Sequence, residues 1–205
     1  LVPIGDLLLF PKHKYCINIG GFANISIKNN EEIIAFDICP ANIVLNDICK
    51  KLGFEYDYNG NISRKGEIVP ALLHQLNQLD FYIKKAPKSL GREWVEEHIF
   101  PILKNQKPED LLCTFCEHIA IQIGKFLSDE SALFTGGGVF NSFLMERITF
   151  HSKAKILVPS KELIEFKESL IFAFLGVLRI RNEVNCLQSV TGAERDNCGG
   201  VIHQI

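Results

Sequence analysis

The sequence predicts an α/β fold with a mixed sheet, antiparallel hairpin strands first and βαβ units after them, flanked by helices. Three observations predict it. Ile17-Asn18-Ile19-Gly20-Gly21-Phe22-Ala23-Asn24-Ile25-Ser26-Ile27 reads as strand, Gly-Gly turn, strand. Ala132-Leu133-Phe134-Thr135-Gly136-Gly137-Gly138-Val139-Phe140-Asn141 reads as strand, triple-Gly turn, helix. Between and beyond these segments, helical and strand patterns alternate without a repeat or a low-complexity linker, so residues 1–205 are read as one domain.

The elements follow in order. Glu32 to Phe36 is a third strand, with Asp37 just past its end. Pro40 is expected to open a helix with Ile43, Val44, Ile48 and Leu52 on its apolar face and Gly53 beyond its end. Residues 54–66 are turn-rich, polar and partly aromatic, the mark of a loop. A helix is expected from Ile68 to Leu79, and Pro87 to Trp94 then breaks the pattern. Pro108 starts a long amphipathic helix to about Leu127, with Glu109 and Asp110 in the first turn, where the helix dipole favours acids. Ala132 to Thr135 is a strand, Phe140, Leu144 and Ile148 form a helical stripe, and Lys155 to Val158 is a short strand. Glu165 to Arg181 is apolar enough to be expected buried on most sides.

Composition narrows the function. The chain is 47% hydrophobic, which suffices for a real core. Its 22 basic and 24 acidic residues leave no basic surplus to attract nucleic acid. No run reaches the roughly 18 apolar residues of a membrane span, and no secretory leader pattern opens the chain. Seven cysteines, an odd number scattered through apolar segments, suit reduced thiols and predict a cytoplasmic protein. Cys113-x-x-Cys116 with His118 is half of a zinc pattern, but no second Cys-x-x-Cys completes it and the pair falls in a predicted helix. The chain starts without methionine, and Met145 is its only one, so it is expected to be a piece of a longer protein.

Glycine lets backbone approach a phosphate closely and offer N–H donors. Two such turns, each directly after an apolar strand, predict a nucleotide held between separate loops, with amides from Gly20, Gly21, Gly136, Gly137 and Gly138 and a helix N-terminus behind the second turn. The first turn lies in a hairpin and is not a P-loop. The second also reads as a tight strand–helix connection. Asp37 is the best catalytic candidate: between a strand end and a helix N-terminus, nearby N–H groups would hold it ionised, able to orient or deprotonate a hydroxyl or water. It also reads as an ordinary helix cap. Asn18 either contacts phosphate or metal-bound water or is simply a sheet residue. Lys88, Arg92 and Glu93 form a charged loop group, where Arg suits an anionic or hydroxylated ligand and solvation is the commoner fate. Glu168, flanked by Phe166, Leu170 and Phe172, needs a partner or ligand if it is buried.

Seven ordered segments carry a resemblance along nearly the whole chain. They are Leu1-Val2-Pro3-Ile4-Gly5-Asp6, Asn18-Ile19-Gly20-Gly21-Phe22-Ala23-Asn24, Phe36-Asp37-x-x-Pro40-Ala41-Asn42, Tyr56-Asp57-x-x-Gly60, Pro87-Lys88-Ser89-x-Gly91-Arg92-Glu93, Thr135-Gly136-Gly137-Gly138-x-x-Asn141 and Val190-Thr191-Gly192-Ala193. Together they resemble the anhydro-N-acetylmuramic acid kinase family. The resemblance implies a ribonuclease-H-like, actin-type ATPase fold of which this chain is the C-terminal lobe, the N-terminal lobe with its first phosphate loop being absent, so that the chain alone is expected to be inactive or nearly so. It implies ATP, with magnesium bridging the phosphates through waters, and 1,6-anhydro-N-acetylmuramic acid as the amino-sugar substrate, in peptidoglycan recycling. It implies Asp37 as the base that activates water, Gly20-Gly21 as the second phosphate loop and Gly136 to Gly138, with Asn141, as the adenosine loop. Asn42, Arg92 and Glu168 fall at substrate-side or hinge positions, and a homodimer is implied as well. Ile38-Cys39 depart from the Thr-Gly or Cys-Gly that commonly follows the aspartate, which predicts an altered loop around the sugar. The competing readings are a chaperone-related ATPase of the same fold and a degenerate paralogue that binds without turnover.

Overall fold

The computed structural model describes residues 1–29 and 32–203. Its centre is a five-stranded sheet of order β3-β2-β1-β4-β5. β1 (Tyr15–Ile19), β2 (Phe22–Asn29) and β3 (Glu32–Pro40) form an antiparallel meander, while β4 (Ser131–Thr135) and β5 (Lys155–Leu157) run parallel to β1 on its other side. The connections therefore leave β1 in opposite directions along the sheet. Ligands of open α/β sheets bind outside the carboxyl ends of the strands at such a switch point.

Strand periodicity sorts the two faces. Tyr15, Ile17 and Ile19 of β1 join Ile25, Phe36 and Phe134 in the main core. Over this face lie α2 (Asn42–Lys50), α3 (Pro70–Asn77), α5 (Pro108–Gly124) and α6 (Ser142–His151). α5 is buried over nearly its whole length, with twelve buried residues, because it packs on the sheet below and on α3 and α6 beside it. α4 (Arg92–His98) places Val95, with Ile99 beyond it, in the same core. The opposite face is polar: Cys16, Ser26 and Lys28 of the sheet meet α1 (Val2–Leu9) and α7 (Lys161–Ile180). A second, smaller apolar cluster of Ile4, Ile171, Leu175 and Leu178 joins those two helices. α8 (Gln188–Thr191) sits against β3.

Three expectations need correction. β3 does not stop at Phe36. It continues to Pro40, which pairs opposite Phe22, because the Gly20-Gly21 turn starts β2 early enough to give those residues a partner strand. Pro40 therefore ends a strand instead of opening a helix. α2 starts at Asn42, and the amides of Ala41, Asn42 and Ile43 donate to the carbonyls of Gly20 and Gly21 in place of a side-chain cap. Ile38 and Cys39 form no loop: Ile38 falls at the irregularity between the Ala23 and Asn24 pairings, and both side chains are fully buried. Finally, α7 buries a single stripe. Phe166, Leu170, Val177 and Ile180 lie on its outer face, Phe166 61% and Ile180 76% exposed, since α1 and the sheet cover only the Ile164, Ile171, Leu175 and Leu178 side.

Candidate functional site

The site begins with a row of residues paired across four strands. Thr135 of β4 is in register with Asn18 of β1, Asn18 with Asn24 of β2, and Asn24 with Asp37 of β3. Directly opposed residues share one face of a sheet, here the polar face, at the carboxyl ends of β1 and β4. Asn18, Asn24 and Asp37 line a cavity of about 820 Å³ together with Gly20, Gly136 and Ser26 from the sheet side. Lys88 and Ser89 close one flank, and Lys167 and Glu168 of α7 the other. A second cavity of about 720 Å³ opens on the other side of the triple-Gly turn, lined by Asn42, Tyr56, Tyr58, Gly137, Gly138 and Asn141 among others.

The two glycine-rich turns touch. A Cβ at Gly136, whose φ is +86°, would stand 2.7 Å from both Asn18 Oδ1 and the Ile19 carbonyl, and one at Gly138 would overlap Ile19 Cγ2. Only glycine permits this approach. The Gly137 and Gly138 amides have no hydrogen-bond partner among the described residues, so they remain available to an anion. Gly20 differs from expectation: its N–H is spent inside the turn on the Phe22 carbonyl at 3.1 Å, which leaves the Gly21 amide as the donor of that turn without a partner among the described residues.

Asp37 is half-buried within β3, not at a helix N-terminus. Burial pushes its carboxyl above the usual range, and one hydrogen bond, from the Leu90 N–H to Oδ2 at 2.8 Å, partly opposes that. A carboxylate so placed is a better proton acceptor than a cap surrounded by donors.

The other candidates separate. Glu168 lies at the first cavity with an exposed side chain and needs no buried partner. Asn42 lines the second cavity. Asn141 also lines it, but its Oδ1 caps α6 by accepting from the Leu144 N–H at 3.0 Å. Arg92 is outside both cavities: it begins α4, is largely exposed and pairs with Glu96 at 2.8 Å, because the helix points it to solvent. Cys113, Cys116 and His118 all lie buried in α5. The His118 ring bonds Asn77 and the Tyr82 hydroxyl, each at 2.8 Å, and burial lowers its pKa to about 3. Among the described residues no group of three His, Cys, Asp or Glu could hold a metal ion.

Three features have no role assigned by the sequence pattern, although some of their residues lie in the segments that carry the family resemblance. Asn24 is one; its place in the strand register beside Asn18 was the available signal. The second is the buried ion pair of Asp6 Oδ1 and Lys167 Nζ at 2.7 Å, with Ser26 Oγ donating to Asp6 Oδ2 at 2.7 Å and Lys167 reaching Thr135 Oγ1 at 3.5 Å. It ties α1 and α7 to the sheet below the cavity, and its partners stand 161 positions apart in the chain, so no local pattern announces their meeting. The third is the wall of the second cavity. The buried Asp57 carboxylate accepts from the Ile62 and Ser63 amides and the Ser63 hydroxyl, holding exposed Tyr56 and Tyr58 at the rim.

The topology, a mixed five-stranded sheet with two glycine-rich turns at its switch point, is that of the actin-like fold. The activator of the 2-hydroxyisocaproyl-CoA dehydratase from Clostridium difficile, solved with bound ADPNP, aligns over 90% of this chain and 68% of its own at a TM-score of 0.53 with 17% identity. Component A of the Acidaminococcus fermentans (R)-2-hydroxyglutaryl-CoA dehydratase aligns over 82% of this chain and 63% of its own at 0.51 with 16% identity. Within that fold the sequence is more particular. The profile of the anhydro-N-acetylmuramic acid kinase family matches residues 1–204, and the chain belongs to that family. It is 32% identical over 99% of its length to the anhydro-N-acetylmuramic acid kinase of Aliivibrio fischeri, and 32% identical over 95% to that of Francisella tularensis subsp. novicida. It covers 60% and 57% of those two relatives, respectively.

Proposed function

We propose that this chain is the C-terminal lobe of a cytoplasmic kinase that opens and phosphorylates 1,6-anhydro-N-acetylmuramic acid with ATP, giving N-acetylmuramic acid 6-phosphate and ADP. The observation that carries the reading is the Asn18–Asn24–Asp37 row facing a cavity bounded by both glycine-rich turns, in a chain of this family.

In this reading Asp37 takes a proton from water while the water oxygen attacks the anomeric carbon. The bond from that carbon to the bridging 6-oxygen breaks, and the 6-oxygen attacks the γ-phosphorus as the bond to the β-phosphate oxygen breaks. The raised affinity of Asp37 for protons suits it to this task. Asn18 and Asn24 supply neutral amides to orient the water or a sugar hydroxyl. The free amides of Gly137 and Gly138, which line the second cavity, offer backbone donors to the nucleotide seated there. The second cavity, with its tyrosine rim, accommodates the nucleoside. Magnesium would be held mainly by the nucleotide phosphates and by waters, since it keeps several waters and needs no all-protein cage, with Glu165 and Glu168, which line the first cavity, as the carboxylates available to those waters. When bound it would neutralise phosphate charge.

The test is ADP release by the full-length protein on the anhydro sugar, with N-acetylglucosamine as control. Asp37→Asn should abolish release and leave ATP affinity within about twofold, since the variant loses the base and keeps the fold. Sugar-independent hydrolysis, or an active Asp37→Asn variant, would sink the reading.

A further inference from the structure

Residues 86–91 form a strap that meets β3, the edge strand of the sheet, at Asp37. Two hydrogen bonds fasten the strap to Asp37. The Asp37 N–H donates to the Lys88 carbonyl at 3.0 Å, and the Leu90 N–H donates to Asp37 Oδ2 at 2.8 Å. Oδ1 takes no hydrogen bond from the described residues, so the strap turns one oxygen away and leaves the other for the cavity.

The strap is itself held by one side chain. Lys88 Nζ donates to the Phe81 carbonyl at 3.1 Å and lies 4.5 Å from the centre of the Phe81 ring. It also stands 5.9 Å from the ring of Phe36, the residue before Asp37. Among the described residues it makes no ion pair. A lysine ammonium offers three donors and a compact charge; here they are directed at a carbonyl and ring faces, an arrangement that fixes where the strap sits.

We propose that Lys88 is a positioning residue for Asp37: by pinning the strap through the Phe81 carbonyl and ring, it holds the Leu90 N–H on Oδ2 and aims Oδ1 at the reacting water. This rests on the reading of Asp37 as the base. Other titratable or charged groups near this corner are Cys39 on β3, Lys84 before the strap and Lys125 at the end of α5. Glu165, Lys167 and Glu168 of α7 line the same cavity. Lys88 alone of these both belongs to the strap and lines the cavity.

The experiment compares the full-length wild type with Lys88→Met and Lys88→Arg. Carbon-13 NMR follows the Asp37 carboxyl, assigned by its disappearance in Asp37→Asn, and hydrogen exchange follows the Leu90 amide. In Lys88→Met the Leu90 amide should exchange faster by roughly tenfold or more as the strap loosens. The Asp37 midpoint should move up, because the hydrogen bond favouring the carboxylate is lost. On the anhydro sugar, kcat should fall by about 10- to 100-fold with KM little changed, and the acid limb of the pH–rate profile should move to higher pH. Lys88→Arg, which keeps a cation and a donor, should recover most of kcat. Leu90 exchange and Asp37 titration both unchanged in Lys88→Met would overturn the proposal, whatever the turnover. If the wild type fails to phosphorylate the sugar while Lys88→Met still shifts both, the positioning stands and the proposed reaction falls.

Discussion

Gly138 packs directly against Ile19, so the turn after β4 closes on the end of β1 with no space for a side chain between them. The contact couples the two glycine-rich turns, one from a hairpin and one from a strand–helix connection.

Gly138→Ala should therefore lower stability by about 1–3 kcal/mol, the usual cost of forcing a methyl group into a packed contact. Gly137→Ala is the control: nothing lies within 4 Å of the added carbon, and its stability should be close to wild type. Denaturant midpoints measured side by side decide the point, and equal losses would show that the Gly138–Ile19 contact gives way freely.

Asp37 is predicted to carry function at a cost in stability. Burial raises its pKa above the ordinary 3.8, so the folded state favours the protonated form. The stability it contributes is present below about pH 3.8 and is lost as the pH rises through the folded value. Asp37→Asn should melt above the wild type at pH 7, and the gap should close on acidification below about pH 4. Thermal melts at several pH values check both the sign and the window.

The Asp6–Lys167 pair should be strongly non-additive. Removing one member strands the other in a buried setting, so Lys167→Met is expected to cost about 3–5 kcal/mol. The double variant Asp6→Asn with Lys167→Met removes both charges of the pair and should recover much of that loss. A double-mutant cycle by chemical denaturation measures the coupling, and additive losses would mean that the two groups act independently.

Glu117 joins α5 to α6. Burial alone would raise its pKa, but the Arg147 guanidinium at 2.6 and 3.0 Å and the His151 ring at 2.7 Å together hold it below the ordinary 4.5. A depressed carboxyl contributes stability above its unfolded pKa and loses it as the pH falls through the folded one. Glu117→Gln should cost roughly 2 kcal/mol at pH 7, and the difference should shrink below about pH 4.5 as the wild-type carboxyl protonates. Urea titrations at neutral and acidic pH test this.

Local pattern made much of this architecture legible. The Gly20-Gly21 hairpin, the strand before Gly136 and the helix opening at Pro108 are each specified within a dozen residues, by alternation, by glycine and by acids in a first turn. The local pattern ends β3 too early because its last four residues are strand only by virtue of Phe22, Ala23 and Asn24 across the sheet, and Pro40 resembles a helix start when seen alone. Likewise α7 is apolar on two sides, and the stripe that is buried depends on where α1 and the sheet lie.

The sequence by itself determined the α/β class, the two glycine turns and the identity of Asp37 as a candidate, because each is written in neighbouring residues and in motifs of the family. Tertiary structure alone decided that Asp37 stands in a row with Asn18 and Asn24, that Arg92 faces solvent and that Asp6 and Lys167 meet below the cavity. Those facts depend on strand register and on packing between segments far apart in the chain, and such contacts leave no periodicity in a sequence from which to read them.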